Sequence, residues 1–135
     1  MIETIKKQAL EDNIPIIMDD TLEEIKKILK EAKPINVLEI GTAVGYSAIR
    51  IAQNAQSVKR LDTIERDTER VNQAIKNIKS CNLEGIIKVI EGDAVEILPS
   101  ITKKYDMIFI DAAKGKYPIF LEEAIRLLSE NGIII

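Results

Sequence analysis

The sequence predicts an α/β domain in which helices cover both faces of a parallel sheet. Short, almost continuously apolar runs alternate along the chain with longer stretches whose apolar residues have helical spacing. Strands buried on both faces have such runs, and the helices between parallel strands form right-handed crossovers. The 135 residues suit a single domain of this kind. We therefore predict a doubly wound, Rossmann-like fold with strand order 3-2-1-4-5, its strands lying at residues 35–40, 61–65, 86–90, 107–111 and 133–135.

Residues 1–20 are predicted to form a weak helix and a loop outside this alternation, and residues 21–135 the Rossmann-like domain. The first helix of the domain is expected at residues 22–32, because its apolar side chains share one face. Thr21 and Glu24 have the spacing of a capping box at the start of that helix.

Three further helices are expected after the first, second and fourth strands. One follows Gly45, and another covers residues 68–81 with Asp67 as its N-cap. The last has Pro118 at its first position and is expected to end at the Asn131-Gly132 pair.

The composition excludes several kinds of catalytic site. The chain has no histidine and one cysteine, Cys81, which excludes Ser-His-Asp triads, histidine-ligated zinc and internal disulfides. Any metal would need oxygen ligands, as magnesium does. One thiol and no apolar run of about 18 residues predict a cytoplasmic protein without a membrane segment. The net charge of -3 provides no bulk attraction for nucleic acid.

The most informative segment is the glycine turn after the first strand. Gly41 and Gly45 are separated by three residues, and a glycine allows a ligand to approach the main chain. In an open parallel sheet, ligands bind at the carboxyl ends of the strands. Ala43 stands where a dinucleotide fingerprint has its second glycine, which weighs against an NAD site. A tight βα turn without a ligand is the alternative interpretation.

Acidic residues follow three other strands. Glu65 lies 24 residues after Gly41, where a carboxylate can accept hydrogens from both ribose hydroxyls of a nucleoside. Asp93 either caps the next helix or binds an adenine amino group. Asp111 and Lys114 would share the ligand-binding edge, or serve as a helix cap and a solvated charge.

These motifs together resemble a known family. The segments at residues 38–47, 63–65, 92–94 and 110–114, with Tyr117, are similar to class I S-adenosylmethionine (SAM)-dependent O-methyltransferases of the catechol and caffeoyl-coenzyme A type. The Ile14-Pro15-Ile16 loop and residues 48–50 resemble most the bacterial tRNA 5-hydroxyuridine methyltransferases. The resemblance implies methyl transfer to a hydroxyl of 5-hydroxyuridine in tRNA, or of a small catechol-like compound.

The resemblance also implies a role for each matching residue. Asp111 would lie near the cofactor's amino group and bind a divalent metal, usually magnesium, while Lys114 would take the hydroxyl proton. The expected cofactor-binding residues are Ile17, Gly41 and Ser47 at the methionine end, Glu65 at the ribose, and Asp93 and Ala94 at the adenine, with Glu39 as a further cofactor-binding residue.

The sequence departs from this family at its end. The family has two more strands, and an Asp-Asn pair of metal ligands follows its fifth strand, so this chain is expected to be C-terminally truncated and to hold metal weakly. The apolar triplet at residues 133–135 would then lie at the sheet edge, which predicts a homodimer. An NAD(P)-binding oxidoreductase domain and a non-catalytic SAM-binding module remain the competing hypotheses.

Overall fold

The structure, a computed structural model, describes residues 1–111 and 116–135. Its five strands form one sheet in the order β3-β2-β1-β4-β5, and every neighbouring pair is parallel. The predicted fold class and strand order are confirmed. The strands are β1 (Asn36–Ile40), β2 (Arg60–Glu65), β3 (Ile87–Glu91), β4 (Tyr105–Ile110) and β5 (Leu128–Ile134).

Helices connect successive strands and cover both faces of the sheet. They are α1 (Ile2–Glu11), α2 (Asp19–Ala32), α3 (Tyr46–Asn54), α4 (Thr68–Ser80), the short α5 (Ala94–Ile97), which runs into a 3-10 turn (Leu98–Ser100), and α6 (Tyr117–Leu127). No helix in the described residues is long and apolar enough to cross a membrane.

The pleat of β1 divides the core into two layers. Val37 packs into the layer formed with α1 to α4, whereas Leu38 and Ile40 pack into the layer formed with α5 and α6. Successive residues of a strand point to opposite faces, so a central strand must be apolar on both. Ile5 and Ala9 of α1 belong to the first layer, so the N-terminal helix shares the core of the sheet.

The start of α2 differs from the prediction. The helix begins at Asp19 and its N-cap is Met18, with no side-chain cap bond, so the predicted capping box of Thr21 and Glu24 is wrong. Asp19 and Asp20 lie in the first turn, where negative charge is favourable beside the free N–H groups. The Asp19 carboxylate also forms an ion pair with Lys6 of α1, at 3.0 Å. Because α2 begins at Asp19, this helix crosses the expected boundary between residues 20 and 21.

The end of α6 also differs from the prediction. The helix ends at Leu127, and Asn131-Gly132 lies within β5 rather than stopping the helix. The Lys104 ammonium donates to the Arg126 carbonyl near the helix end. The register of β4 and β5 shifts between Tyr105 and Met107, so the strand accommodates the two turn-forming residues as an irregularity.

A buried carboxylate joins β2 to β4 near the end of the sheet opposite the glycine turn. Asp62 is fully buried and accepts a hydrogen bond from the Tyr105 hydroxyl at 2.7 Å. Arg60 and Lys103 form ion pairs with it at 3.1 and 2.9 Å. These partners hold the pKa of Asp62 below its ordinary value despite the opposing effect of desolvation. This cluster aligns the strands whose opposite ends form the site.

Candidate functional site

An open cavity of about 220 Å³ lies at the carboxyl ends of the first four strands. The side chains and turns that follow these strands meet there because all the strands run in the same direction. The cavity is lined by Ile40, Gly41, Ile64, Glu65, Arg66, Gly92, Asp93, Ala94, Asp111, Lys116 and Phe120. Five of the residues predicted from the sequence therefore line the same cavity: Gly41, Glu65, Asp93, Ala94 and Asp111.

The glycine turn has an alternating backbone conformation. Gly41, Ala43 and Gly45 have positive φ angles of 104°, 49° and 88°. Glycine adopts this region readily, whereas alanine has a steric cost there. The Gly45 N–H donates to the Thr42 carbonyl at 2.9 Å, which closes the turn just before α3.

Three consecutive residues of β2 hold this turn in place. The Ile64 carbonyl accepts from the Gly41 and Thr42 N–H groups at 3.0 and 3.2 Å. The hydroxyls of Thr63 and Thr42 are hydrogen-bonded at 2.6 Å, and the Glu65 carboxylate accepts from the Ala43 N–H at 2.8 Å. The end of β2 thus determines the shape of the loop at the end of β1.

Glu65 is oriented entirely by main-chain donors. Its Oε1 accepts from Ala43, and its Oε2 accepts from the Arg66 and Asp67 N–H groups, both at 3.1 Å. A carboxylate has roughly four acceptor positions, so about one remains for a ligand. Glu65 is 9% exposed and lines the cavity, and its ribose-binding role stays a prediction.

Glu39 lies beneath the turn rather than in the cavity wall. Its carboxyl is fully buried and accepts from the hydroxyls of Ser47 and Thr63, the latter at 2.7 Å. Its pKa is raised to about 7, mainly by burial and in part by the nearby Asp111 and Glu65 carboxylates, while the two hydroxyl donors oppose the shift. Both oxygens have partners inside the protein, so Glu39 supports Ser47 and the turn.

Two further features border the adenine end predicted for the cavity. Asp93 is the N-cap of α5 and accepts from the Val95 N–H at 3.0 Å, which confirms the capping alternative. Asp93 also lines the cavity. Arg66 and Lys116 line the same cavity and were not singled out from the sequence. Arg66 follows Glu65 directly, which is the one signal that could have indicated it.

The N-terminal loop reaches the methionine end predicted for the site. Pro15, Ile16 and Ile17 line a small cavity together with Thr42, Ala43, Tyr46, Ser47 and Asp111. The structure therefore brings Ile17 and Ser47 to one small cavity, and their contact with the methionine end of the cofactor stays a prediction. Ser47 is in the first turn of α3, where the free N–H groups of a helix also lie.

Asp111 follows β4 and borders both cavities. Desolvation raises its pKa above the ordinary value. Lys114, the predicted proton acceptor, falls within residues 112–115 and lies outside the described residues. In the part of the chain described, no group of three or more Asp, Glu, His or Cys side chains is arranged to hold a metal ion.

Comparisons with known proteins identify the family. The family model described as O-methyltransferase matches residues 2–135. The chain belongs to the O-methyltransferase family. It is 36% identical over 104 residues to a catechol O-methyltransferase of Niastella koreensis, covering 74% of this chain and 47% of that protein. It is 30% identical over 118 residues to the catechol O-methyltransferase of Bos taurus, covering 82% of this chain and 43% of that protein.

A solved structure of this family supports the same assignment. The O-methyltransferase from Bacillus cereus in complex with S-adenosylhomocysteine (SAH) superposes with a TM-score of 0.89 at 28% identity, covering 98% of this chain and 63% of that one. The chain therefore spans about half the length of the curated relatives it matches, and less than two thirds of this solved relative. These relatives disfavour the NAD(P)-binding oxidoreductase alternative.

The raised pKa of Glu39 predicts a pH-dependent stability. The unfolded chain releases this proton near pH 4.5, whereas the folded protein retains it up to about pH 7. Between these values the folded state binds more protons, so this group's contribution to the free energy of unfolding falls as pH rises. In denaturant titrations, Glu39→Gln should show a smaller decline over this interval than the wild-type chain. Glu31→Gln, at an exposed position of α2, is the control, and equal slopes for the wild type and Glu39→Gln would contradict the prediction.

Proposed function

We propose that this chain binds SAM in the cavity at the strand ends and belongs to an enzyme that methylates a hydroxyl group. The observation that carries the proposal is the Glu65 carboxylate, fixed by the Ala43, Arg66 and Asp67 N–H groups at the rim of the cavity. A carboxylate held in this way meets a ribose hydroxyl without reorganising. The family match and the SAH-bound relative support the choice of ligand.

Each predicted residue has a proposed task that agrees with its position. Glu65 accepts a ribose hydroxyl, Asp93 and Ala94 border the adenine, and Asp111 lies by the methionine amino group. Gly41, Ser47 and Ile17 enclose the methionine end, between the glycine turn and the N-terminal loop. Glu39 acts on this end through Ser47, because both of its oxygens are already hydrogen-bonded.

The cofactor supplies a methyl group on a sulfonium sulfur, which an oxygen nucleophile can accept. The protein's task is to hold the acceptor in line, to exclude water and to receive the hydroxyl proton. Lys114 is the residue we propose for the proton, on the basis of the sequence. The described residues do not provide a set of magnesium ligands, so the proposed roles rest on the side chains alone.

Calorimetry with SAH tests the cofactor assignment. Glu65→Ala should weaken SAH binding by roughly 1 to 3 kcal/mol, because a hydroxyl loses a charged acceptor and the turn loses the bond to Ala43. The control is Glu69→Ala, an exposed acid on α4 that should leave the affinity unchanged. Absence of heat from the wild-type chain with both SAM and SAH would contradict the proposal.

The acceptor we propose is a hydroxyl of a small catechol-like aromatic compound. Two relatives are named as catechol O-methyltransferases, and the net charge of -3 provides no bulk attraction for a polyanion. The tRNA 5-hydroxyuridine interpretation of the sequence is the other acceptor to be assayed.

Methyl transfer from labelled SAM, with and without magnesium, distinguishes these acceptors. We expect label in the catechol and none in hydroxylated tRNA. Transfer to tRNA alone would replace the substrate proposal. Binding of SAH without transfer to either acceptor would support a non-catalytic SAM-binding module.

We also propose that the chain forms a homodimer in the cytoplasm through the edge strand β5. This strand pairs with β4 on one side and is last in the sheet order, and unpaired strand edges promote association. The proposed cytoplasmic location is supported by the single thiol, Cys81. Sedimentation velocity should show a mass that increases with concentration toward twice 15.1 kDa, and a stable monomer at high concentration would contradict the dimer.

A further inference from the structure

We infer that Asn77 of α4 is a positioning residue that holds the glycine turn in the shape needed for cofactor binding. The inference rests on the proposed function, because its effect on ligand binding requires that the cavity binds SAM. Asn77 is 33 positions from Val44 in the sequence, yet its side-chain amide donates to the Val44 carbonyl at 2.9 Å. It was not singled out from the sequence and does not line the cavity described above.

The bond acts on a peptide group whose other end is also held. The Val44 carbonyl and the Gly45 N–H belong to the same peptide plane, which is rigid. Asn77 holds the carbonyl oxygen, and the Thr42 carbonyl accepts from the Gly45 N–H at 2.9 Å. Without Asn77, this plane is held at one end only and can rotate next to a glycine, which has a low barrier to such a change.

Helix α4 also contacts the turn where Gly45 has no side chain. A Cβ built at position 45 would lie 3.4 Å from the Ala74 Cβ, an ordinary van der Waals distance. Ala74 itself is fully buried and is one helical turn before Asn77. The helix therefore approaches the turn closely enough for the short Asn77 side chain to reach the main chain.

The geometry connects Asn77 to the cavity through the turn. Val44 lies directly after Ala43, whose N–H donates to Glu65, and Gly45 is the N-cap of α3. Rotation of the 44–45 peptide changes the direction in which the first α3 turn, which carries Ser47, leaves the loop, and it loosens the short loop that holds the Ala43 N–H toward Glu65. The turn is thus held from the cavity side by Glu65 and from the helix side by Asn77.

Amide exchange and SAH binding together test this inference on the full 135-residue chain. Asn77→Ala removes the donor, and Asn77→Asp removes it with almost no change in shape. Two variants are needed because an added carboxylate in the last part of a helix is itself unfavourable. Asn72→Ala and Asn72→Asp make the same changes at an exposed position of the same helix.

Both Asn77 variants should increase hydrogen exchange at the Ala43 and Gly45 amides by about tenfold and weaken SAH binding by about tenfold, the effect of one lost hydrogen bond. The Asn72 variants should change neither quantity. Exchange in β1 and β2 should stay the same in all four variants, which separates a local effect from general destabilisation.

Each other outcome has a defined meaning. Equal exchange and equal SAH affinity in the Asn77 and Asn72 variants would overturn the inference. Faster exchange without weaker binding would also overturn it, because the turn would then not need Asn77 for the ligand. If the wild-type chain itself gives no heat with SAH, the proposed function fails, and the exchange rates still decide whether Asn77 holds the turn.

Discussion

The hydrogen bonds between the end of β2 and the glycine turn are the constraint on which the rest of the site depends. Thr63, Ile64 and Glu65 each bind a different part of the turn after β1. Adjacent parallel strands in register make this possible, since Ile40 pairs with Ile64 at the point where β1 ends. A turn that includes a non-glycine residue at positive φ persists because the surrounding bonds determine its conformation.

This arrangement places an ionisable group in an unfavourable environment. Glu39 is fully buried below the turn, and its pKa is raised because the charged form is desolvated. Its hydroxyl partners offset part of that cost and connect β1 to β2 and to α3. The resulting network orders Ser47 from below, while Glu65 orders the turn from the cavity. A rigid, preorganised site reduces the entropy lost when a flexible ligand binds.

The parts of the structure that could be predicted are those that depend on local pattern. The ends of the first four strands lie within two residues of the predicted ones, whereas β5 begins at Leu128, five residues before its predicted start at Ile133. Asp67 caps α4 as expected by accepting from the Arg70 N–H. The predicted capping box at Thr21 was wrong because α2 gains its first turn from acidic residues and from the contact of Asp19 with Lys6 on another helix. The predicted stop at Asn131-Gly132 was wrong because the chain pairs with β4 already at Leu128, and residues 129–132 lie in the register shift before pairing resumes at Ile133. In both cases a partner distant in sequence outweighed a local preference.

The sequence by itself determined the fold class and the residues that gather at the strand ends, because alternating hydrophobic patterns and chain direction specify these features. The strand order 3-2-1-4-5 was expected as a common order of doubly wound sheets, and the structure confirmed it. It also indicated the O-methyltransferase family, which the comparisons confirmed. Only the tertiary structure decided which candidate residues line the cavity and which support the turn from the core. Glu39 supports the turn from the core while Glu65 faces the cavity, and Asn77 reaches the turn from a helix 33 positions away. Burial and hydrogen-bond partners depend on which segments pack together in space, and the spacing of residues along the chain does not contain that information.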